Sequence, residues 1–222
     1  FALMYNQQMS QAAADAGVAP LEYPYTWDEF AEYLTAILPH LPEGAASVHN
    51  MGREQDAFVT WVQSHGEDVF DGSNVAFTKD LAIQWFEYWE ALRNAGVTEP
   101  PEVMISDNSA LIEESNIANN RGFMTNRPPN QLGSVQTTVD TVSPGTTIGI
   151  TPYPVGPDGT VGMDIGANGI AIGASCDEAQ IPVAAEWINF WTQNEEAAGI
   201  YESDNGVVSI PALATAQAED PD

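Results

Sequence analysis

Gly149 to Gly173 reads GITPYPVGPDGTVGMDIGANGIAIG, and its punctuation decides the fold. From Gly149 to Pro154, β-branched residues alternate with small and turn-forming ones, as in an extended run. Gly156-Pro157-Asp158-Gly159 then supplies the fixed and positive φ values of a tight turn. Gly166-Ala167-Asn168-Gly169 offers backbone without bulk, which permits close approach of a ligand or of another chain segment. Ile170-Ala171-Ile172 resumes a strand pattern. Taken alone, the stretch suits a plain surface hairpin equally well. Downstream, Pro182 sits where a first helical turn tolerates it, and Val183, Ala184, Trp187, Ile188 and Trp191 recur at helical spacing. The order is therefore strand, turn, Gly-rich crossing, strand, helix.

The rest of the chain alternates in the same way. Phe1 to Tyr5 is an apolar run ending at Asn6, and Gln7 to Ala16 predicts a short helix closed by Gly17. Thr26 with Glu29 forms a capping box, and Phe30, Tyr33, Leu34, Ile37 and Leu38 follow on one helical face, which ends before Pro39. Glu54 to Ser64 predicts a second such helix, with Phe58, Trp61 and Val62 along one side. Phe70 to Phe77 carries the turn Asp71-Gly72-Ser73-Asn74 between two short apolar strands. Thr78 to Asn94 is the clearest helix, striped by Leu81, Trp85, Tyr88, Trp89 and Leu92 and stopped by Gly96; its aromatics read as core. Pro100-Pro101 reads as a break, Asn108 to Asn119 as a helix, Gly122 to Thr125 as a short buried strand and Asn126 to Asn130 as a rigid loop. Leu132 to Val142 fits either class, and Glu219 to Asp222 reads as a frayed acidic tail. Helices interleaved with short strands point to an α/β sandwich.

Composition narrows the function. The 222 residues are 44% hydrophobic, enough for a real core, and carry 5 Lys plus Arg against 32 Asp plus Glu, a net charge of −27. Lys79 is the only lysine. Such a surface repels phosphate backbones and anionic headgroups, so nucleic acid is excluded as a partner. The acidity reads as adaptation to high salt, with a very acidic exported protein from an ordinary environment as the other possibility. Cys176 is alone, which leaves no internal disulfide. No run of about 18 apolar residues and no signal peptide are visible. The chain opens in mid-strand at Phe1-Ala2-Leu3-Met4-Tyr5, as if a preceding part were missing.

Catalytic motifs are absent. No phosphate loop is followed by a lysine, no G-x-S-x-G elbow occurs, and no cofactor is indicated. His40, His49 and His65 lack paired spacing and read as surface or capping residues. Glu113-Glu114 and Glu195-Glu196 are the carboxylate pairs that a carbohydrate-active enzyme would require, but neighbours in a helix do not face each other. The enzyme reading is kept as the alternative.

Several motifs in order carry a family likeness. Met4-Tyr5-Asn6, then Ala16-Gly17-Val18 and Pro20, then TWDEF from Thr26, open the series. It continues through Gly66 to Phe70, the helix Leu81 to Gly96, the strand Arg121 to Thr125, Gly149 to Pro154, and finally Asn205-Gly206 with Ile210-Pro211-Ala212. Together they resemble the extracellular solute-binding proteins of carbohydrate ABC importers, the maltose-binding-protein-like family 1. The resemblance implies a periplasmic-binding-protein-like α/β fold of two lobes with a hinge-crossing segment. Residues 1–163 would form the second lobe, residues 164–222 the crossover and partial return to the first lobe, and most of the first lobe would be missing.

It also implies capture of an oligosaccharide or polyol, acidic in one version, outside the membrane and delivery to an ABC permease. The protein would be a monomer, extracellular or periplasmic, anchored through a missing N-terminal lipid-anchor segment. Sugar sites pair aromatic platforms with fixed polar groups in a closing cleft. By the resemblance, Glu54, Gln55 and Asp56 fall at the cleft-facing helix start, and Trp61 fits either a platform or the core. Where the family often places a stacking aromatic, this chain has Asn126, Arg127, Pro128, Pro129 and Asn130. Arg127 there suits either a ligand anion or a structural salt bridge. Asp164, Gly166, Ala167 and Asn168 fall at the crossing.

Overall fold

The opening apolar run forms β1 (Ala2–Asn6), and the side chain of Asn6 caps α1 (Gln7–Asp15) by accepting the Met9 N–H at 3.0 Å. Gly17, at φ +98°, stops that helix. These elements belong to a computed structural model that describes residues 2–109, 111–164, 169–201 and 209–219. The chain divides into two compact units, residues 1–165 and residues 166–222.

The first unit is built on a four-stranded sheet of β1, β2 (Ala46–Val48), β5 (Gly122–Arg127) and β6 (Ile148–Thr151), in the order β2-β5-β1-β6. Strand β2 is parallel to β5, while β1 is antiparallel to both β5 and β6. Side chains alternate across β1 as a pleated strand requires: Leu3 and Tyr5 join one apolar cluster and Met4 the other. The larger cluster lies under α2 (Trp27–Ile37), α3 (Gln55–Ser64) and α4 (Lys79–Asn94); the smaller is closed by Val135 and Val139 of α6 (Leu132–Val142). Both faces of the sheet are thus covered, which is the α/β sandwich expected.

The capping box at Thr26 and Glu29 is complete, and Thr78 caps α4 through the Leu81 N–H. Trp27, at the first position of α2, is ringed by Phe30, Trp61, Trp85, Tyr88 and Tyr153. The hairpin β3 (Phe70–Asp71) and β4 (Asn74–Val75) turns at Gly72, φ +61°. The Pro-Gly turn also forms: the Gly156 carbonyl accepts from the Gly159 N–H at 2.9 Å. The segment around it lies directly on α3. A Cβ on Gly156 would stand 1.8 Å from the Ser64 carbonyl oxygen, and one on Gly162 2.0 Å from that of Thr60. Only glycine permits that approach.

Four expectations change, and one left open is decided. Helix α5 covers Pro101–Ser109, followed by a 3-10 turn at Ile112–Glu114, so the helix expected over Asn108 to Asn119 lies earlier. Pro101 starts α5 instead of breaking the chain, because proline suits a first helical turn. Asn126 and Arg127, expected in a loop, are strand residues, since β1 pairs Leu3 with Asn126 and Ala2 with Arg127. Leu132 to Val142, left open, is helical. Ile170-Ala171-Ile172 is irregular, with Ile170 exposed: no strand pairs with it among the described residues, and a strand needs a neighbour for its N–H and C=O groups.

In the second unit, the helical spacing from Pro182 produces α7 (Ile181–Gln193), followed by α8 (Glu195–Tyr201) and α9 (Pro211–Glu219). Trp187 and Trp191 stack at 5.7 Å. No helix among the described residues is long and apolar enough to cross a membrane.

Candidate functional site

Strand direction gathers polar residues at one end of the sheet. The registers Ala2 with Arg127, Leu3 with Thr151 and Val48 with Met124 put the carboxyl ends of β2, β5 and β6 together. In open α/β sheets, ligands bind beyond such ends. The first turn of α3 meets them there through Asp56. Its Oδ2 accepts from the Tyr153 hydroxyl at 2.6 Å and from Asn126 Nδ2 at 3.2 Å. Asp56 is only 6% exposed, and those two donors satisfy its buried oxygen. Burial first, and the adjacent carboxylate second, keep the Tyr153 phenol un-ionised far above its usual range.

Arg127 is the last residue of β5, one position after Asn126. Its Nη1 donates to Gln131 Oε1 at 3.3 Å, whereas its buried Nε has no acceptor. No carboxylate among the described residues comes within 4.0 Å of it. Burial pushes the guanidinium down from its ordinary range, and the field of Asp107 opposes that push. Glu54 is the N-cap residue of α3, Gln55 is exposed in the first turn, and Asn130 is half-buried in the 3-10 turn Pro129–Gln131.

A second polar group lies beneath. His49 leaves β2 at the same end, its N–H donating to the Met124 carbonyl at 2.9 Å. Its Nδ1 stands 2.5 Å from Glu99 Oε1 and 3.8 Å from Asp107 Oδ2, and its Nε2 3.9 Å from Glu54 Oε1. His49 is 6% exposed and Glu99 5%. Burial alone would lower the imidazole pKa, but Glu54, Glu99 and Asp107 outweigh it and raise the pKa to about 9. A hollow of about 760 Å³ runs past this group, lined by Glu99, Asp107, Glu102 and Arg121 among others. It flanks α5, not the Asp56 group.

The structure therefore brings Glu54, Gln55, Asp56, Asn126 and Arg127 to one end of the sheet. Trp61 is not with them: it is 5% exposed and packed between Trp27, Trp85 and Tyr88, which makes it core. Asp164 follows Met163, whose N–H donates to Gln63 Oε1 at 2.8 Å. That is the far end of α3, about two turns from Gln55. Gly166, Ala167 and Asn168 lie outside the described residues, as do Asn205 and Gly206. Sequence reasoning missed Tyr153, and it read His49 as a surface or capping residue, whereas the side chain is buried. Only the tyrosine had a usable signal, standing between two prolines just after a strand. Of the carboxylate pairs, Glu113-Glu114 are exposed in a 3-10 turn and Glu195-Glu196 exposed at the start of α8, in different units.

The family model described as bacterial extracellular solute-binding protein matches residues 1–198. The structure is similar to UgpB from Mycobacterium tuberculosis in complex with glycerophosphocholine, with TM-score 0.68 and 18% identity over 98% of this chain and 53% of that one. It is similar to an oligogalacturonide-binding protein from Yersinia enterocolitica in complex with saturated digalacturonic acid, with TM-score 0.68 and 15% identity over 97% and 52%. Maltose-bound T. maritima MalE3 gives TM-score 0.65 and 19% identity over 99% and 54%. The chain spans about half the length of each. No curated protein matches the sequence.

Proposed function

The chain belongs to the bacterial extracellular solute-binding protein family, and from that premise we propose that it captures a carbohydrate outside the membrane and passes it to an ABC permease. The ligand is an oligosaccharide or polyol, neutral or acidic. Residues 1–163 act as the second lobe and contribute one wall of a hinged cleft, while residues 164–222 return toward the first lobe. The protein works as a monomer held at the membrane by an N-terminal lipid anchor. The single observation that carries this reading is the convergence of Asp56, Asn126 and Tyr153 at the carboxyl ends of the strands, with Arg127 ending the same strand as Asn126, in a chain of this family. A fixed acceptor, a side-chain amide and a cation at a sheet end suit the hydroxyl and acid groups of a sugar. The structural relatives were solved with maltose, digalacturonic acid and glycerophosphocholine, which share that polar chemistry.

The test is thermal unfolding of the intact protein with panels of neutral and acidic oligosaccharides, with recovered sugar analysed by chromatography. Capture predicts a melting temperature that rises with ligand concentration and sugar returned unchanged. Turnover would support the alternative, a carbohydrate-active enzyme using paired carboxylates. No shift with any sugar would reject the reading.

The charge of −27 belongs to the same proposal, as a surface built for high salt. Between about 0.1 and 1 M salt the Debye length falls from about 10 to 3 Å, which screens the self-repulsion of the acidic surface. Differential scanning calorimetry should show the melting temperature climbing steeply over that range. A flat profile would reject the halophilic reading.

A further inference from the structure

Five residues of the chain are cationic, and four of them, Arg53, Lys79, Arg93 and Arg121, are exposed. Arg127 alone is half-buried. Among 32 acids, chance would easily place a carboxylate beside it, yet no described one stands within 4.0 Å. Asp107, the acid whose field reaches Arg127, takes the Asn116 N–H and faces His49, and Asp56 Oδ2 is held by Tyr153 and Asn126. One neutral acceptor, Gln131 Oε1, steadies one arm of the fork at 3.3 Å, and the Nε is buried without an acceptor. A partly desolvated guanidinium without a carboxylate beside it is costly, and an anion bound at its exposed part offsets that cost. The stem is also stiffly mounted. Arg127 is paired to Ala2 across the sheet and followed by Pro128 and Pro129, whose fixed φ values limit movement of the chain end.

We propose that Arg127 is the specificity-determining residue of the cleft and selects ligands that carry an anionic group, a carboxylate or a phosphate, over their neutral counterparts. This rests on the carbohydrate-capture reading. A planar guanidinium matches either anion with two parallel hydrogen bonds, which a hydroxyl cannot reproduce. The surrounding acidity does not oppose selection at contact range. It slows approach of anions from a distance, and that repulsion is removed by salt.

The experiment is calorimetric titration of the intact protein in about 1 M salt, a level that screens the long-range repulsion. Digalacturonate and neutral digalactose form the carboxylate pair; glycerol 3-phosphate and glycerol form the phosphate pair, and whichever pair responds identifies the anion. The expected result is a preference of about 30-fold or more for one anionic member, collapsing in Arg127→Ala and partly restored in Arg127→Lys. Arg127→Gln, which keeps a polar side chain of similar length, guards against loss of folding in the alanine variant. Equal affinity for anionic and neutral members in the wild type would overturn the inference while leaving carbohydrate capture intact. So would variants that weaken both members alike. Absence of binding by all four probes and by the wider sugar panel would reject both.

Discussion

Trp27→Ala should lower the unfolding free energy by about 3–5 kcal/mol, the range for deleting a large buried aromatic side chain. Trp27 is 3% exposed, and its ring meets residues from α2, α3, α4 and the segment after β6. Its Nε1 also donates to Ser64 Oγ at 3.1 Å, and its carbonyl accepts the Tyr88 hydroxyl at 2.8 Å. Truncation removes the ring that these elements share and leaves Ser64 without its donor. Trp27→Phe keeps most of the volume but loses that hydrogen bond, so its loss should be much smaller. Urea unfolding followed by far-UV circular dichroism measures both. A loss under about 1 kcal/mol for the alanine variant would mean that the aromatic cluster repacks around the gap.

His49→Ala should cost a similar amount, for a different reason. Removing the imidazole leaves the carboxylates of Glu99 and Asp107 buried without a cation, and breaking a buried pair on one side costs about 3–5 kcal/mol. The wild type should reveal the same interaction through pH. Its folded-state pKa of about 9 lies above the ordinary imidazole value of 6.5, so the protonated imidazole stabilises the fold fully below about pH 6.5. That contribution falls as pH rises through 9. Unfolding free energies measured from pH 6 to 10 should therefore decline in the wild type, and the part due to His49 should vanish in His49→Ala. Identical pH profiles would mean that the imidazole is neutral in the folded state. Helix α5 should loosen first, because it exposes Val103 and Ile105 while Asp107 reaches inward to His49 and the Asn116 N–H. Hydrogen exchange along Pro101–Ser109 measures that directly.

Local chemistry made much of this protein legible in its sequence. The capping box at Thr26 and Glu29, the cap at Thr78, the stop at Gly17 and the Pro-Gly turn at Gly156 each act within a few residues, so their residue types are sufficient evidence. Of the stripe Leu81, Trp85, Tyr88, Trp89 and Leu92, all are buried as the spacing required except Tyr88, which is partly buried against the same core. The polar start of α3 was visible too, and Asp56 does meet Asn126 there. Other features depended on partners distant in the chain. Asn126 and Arg127 look like the start of a proline loop, but pairing with Leu3 and Ala2 makes them strand. Ile170 to Ile172 looks like strand, but no described neighbour pairs with it. Burial was equally hidden: a lone histidine at position 49 and a tryptophan at 61 each suit surface or interior until their surroundings are known. Propensity, capping and turn chemistry are set by adjacent residues and were determined by the sequence alone. Strand pairing, the desolvation of His49 and Arg127, and the unmet donor on Arg127 are set by what packs around each group, and only the tertiary structure decided them.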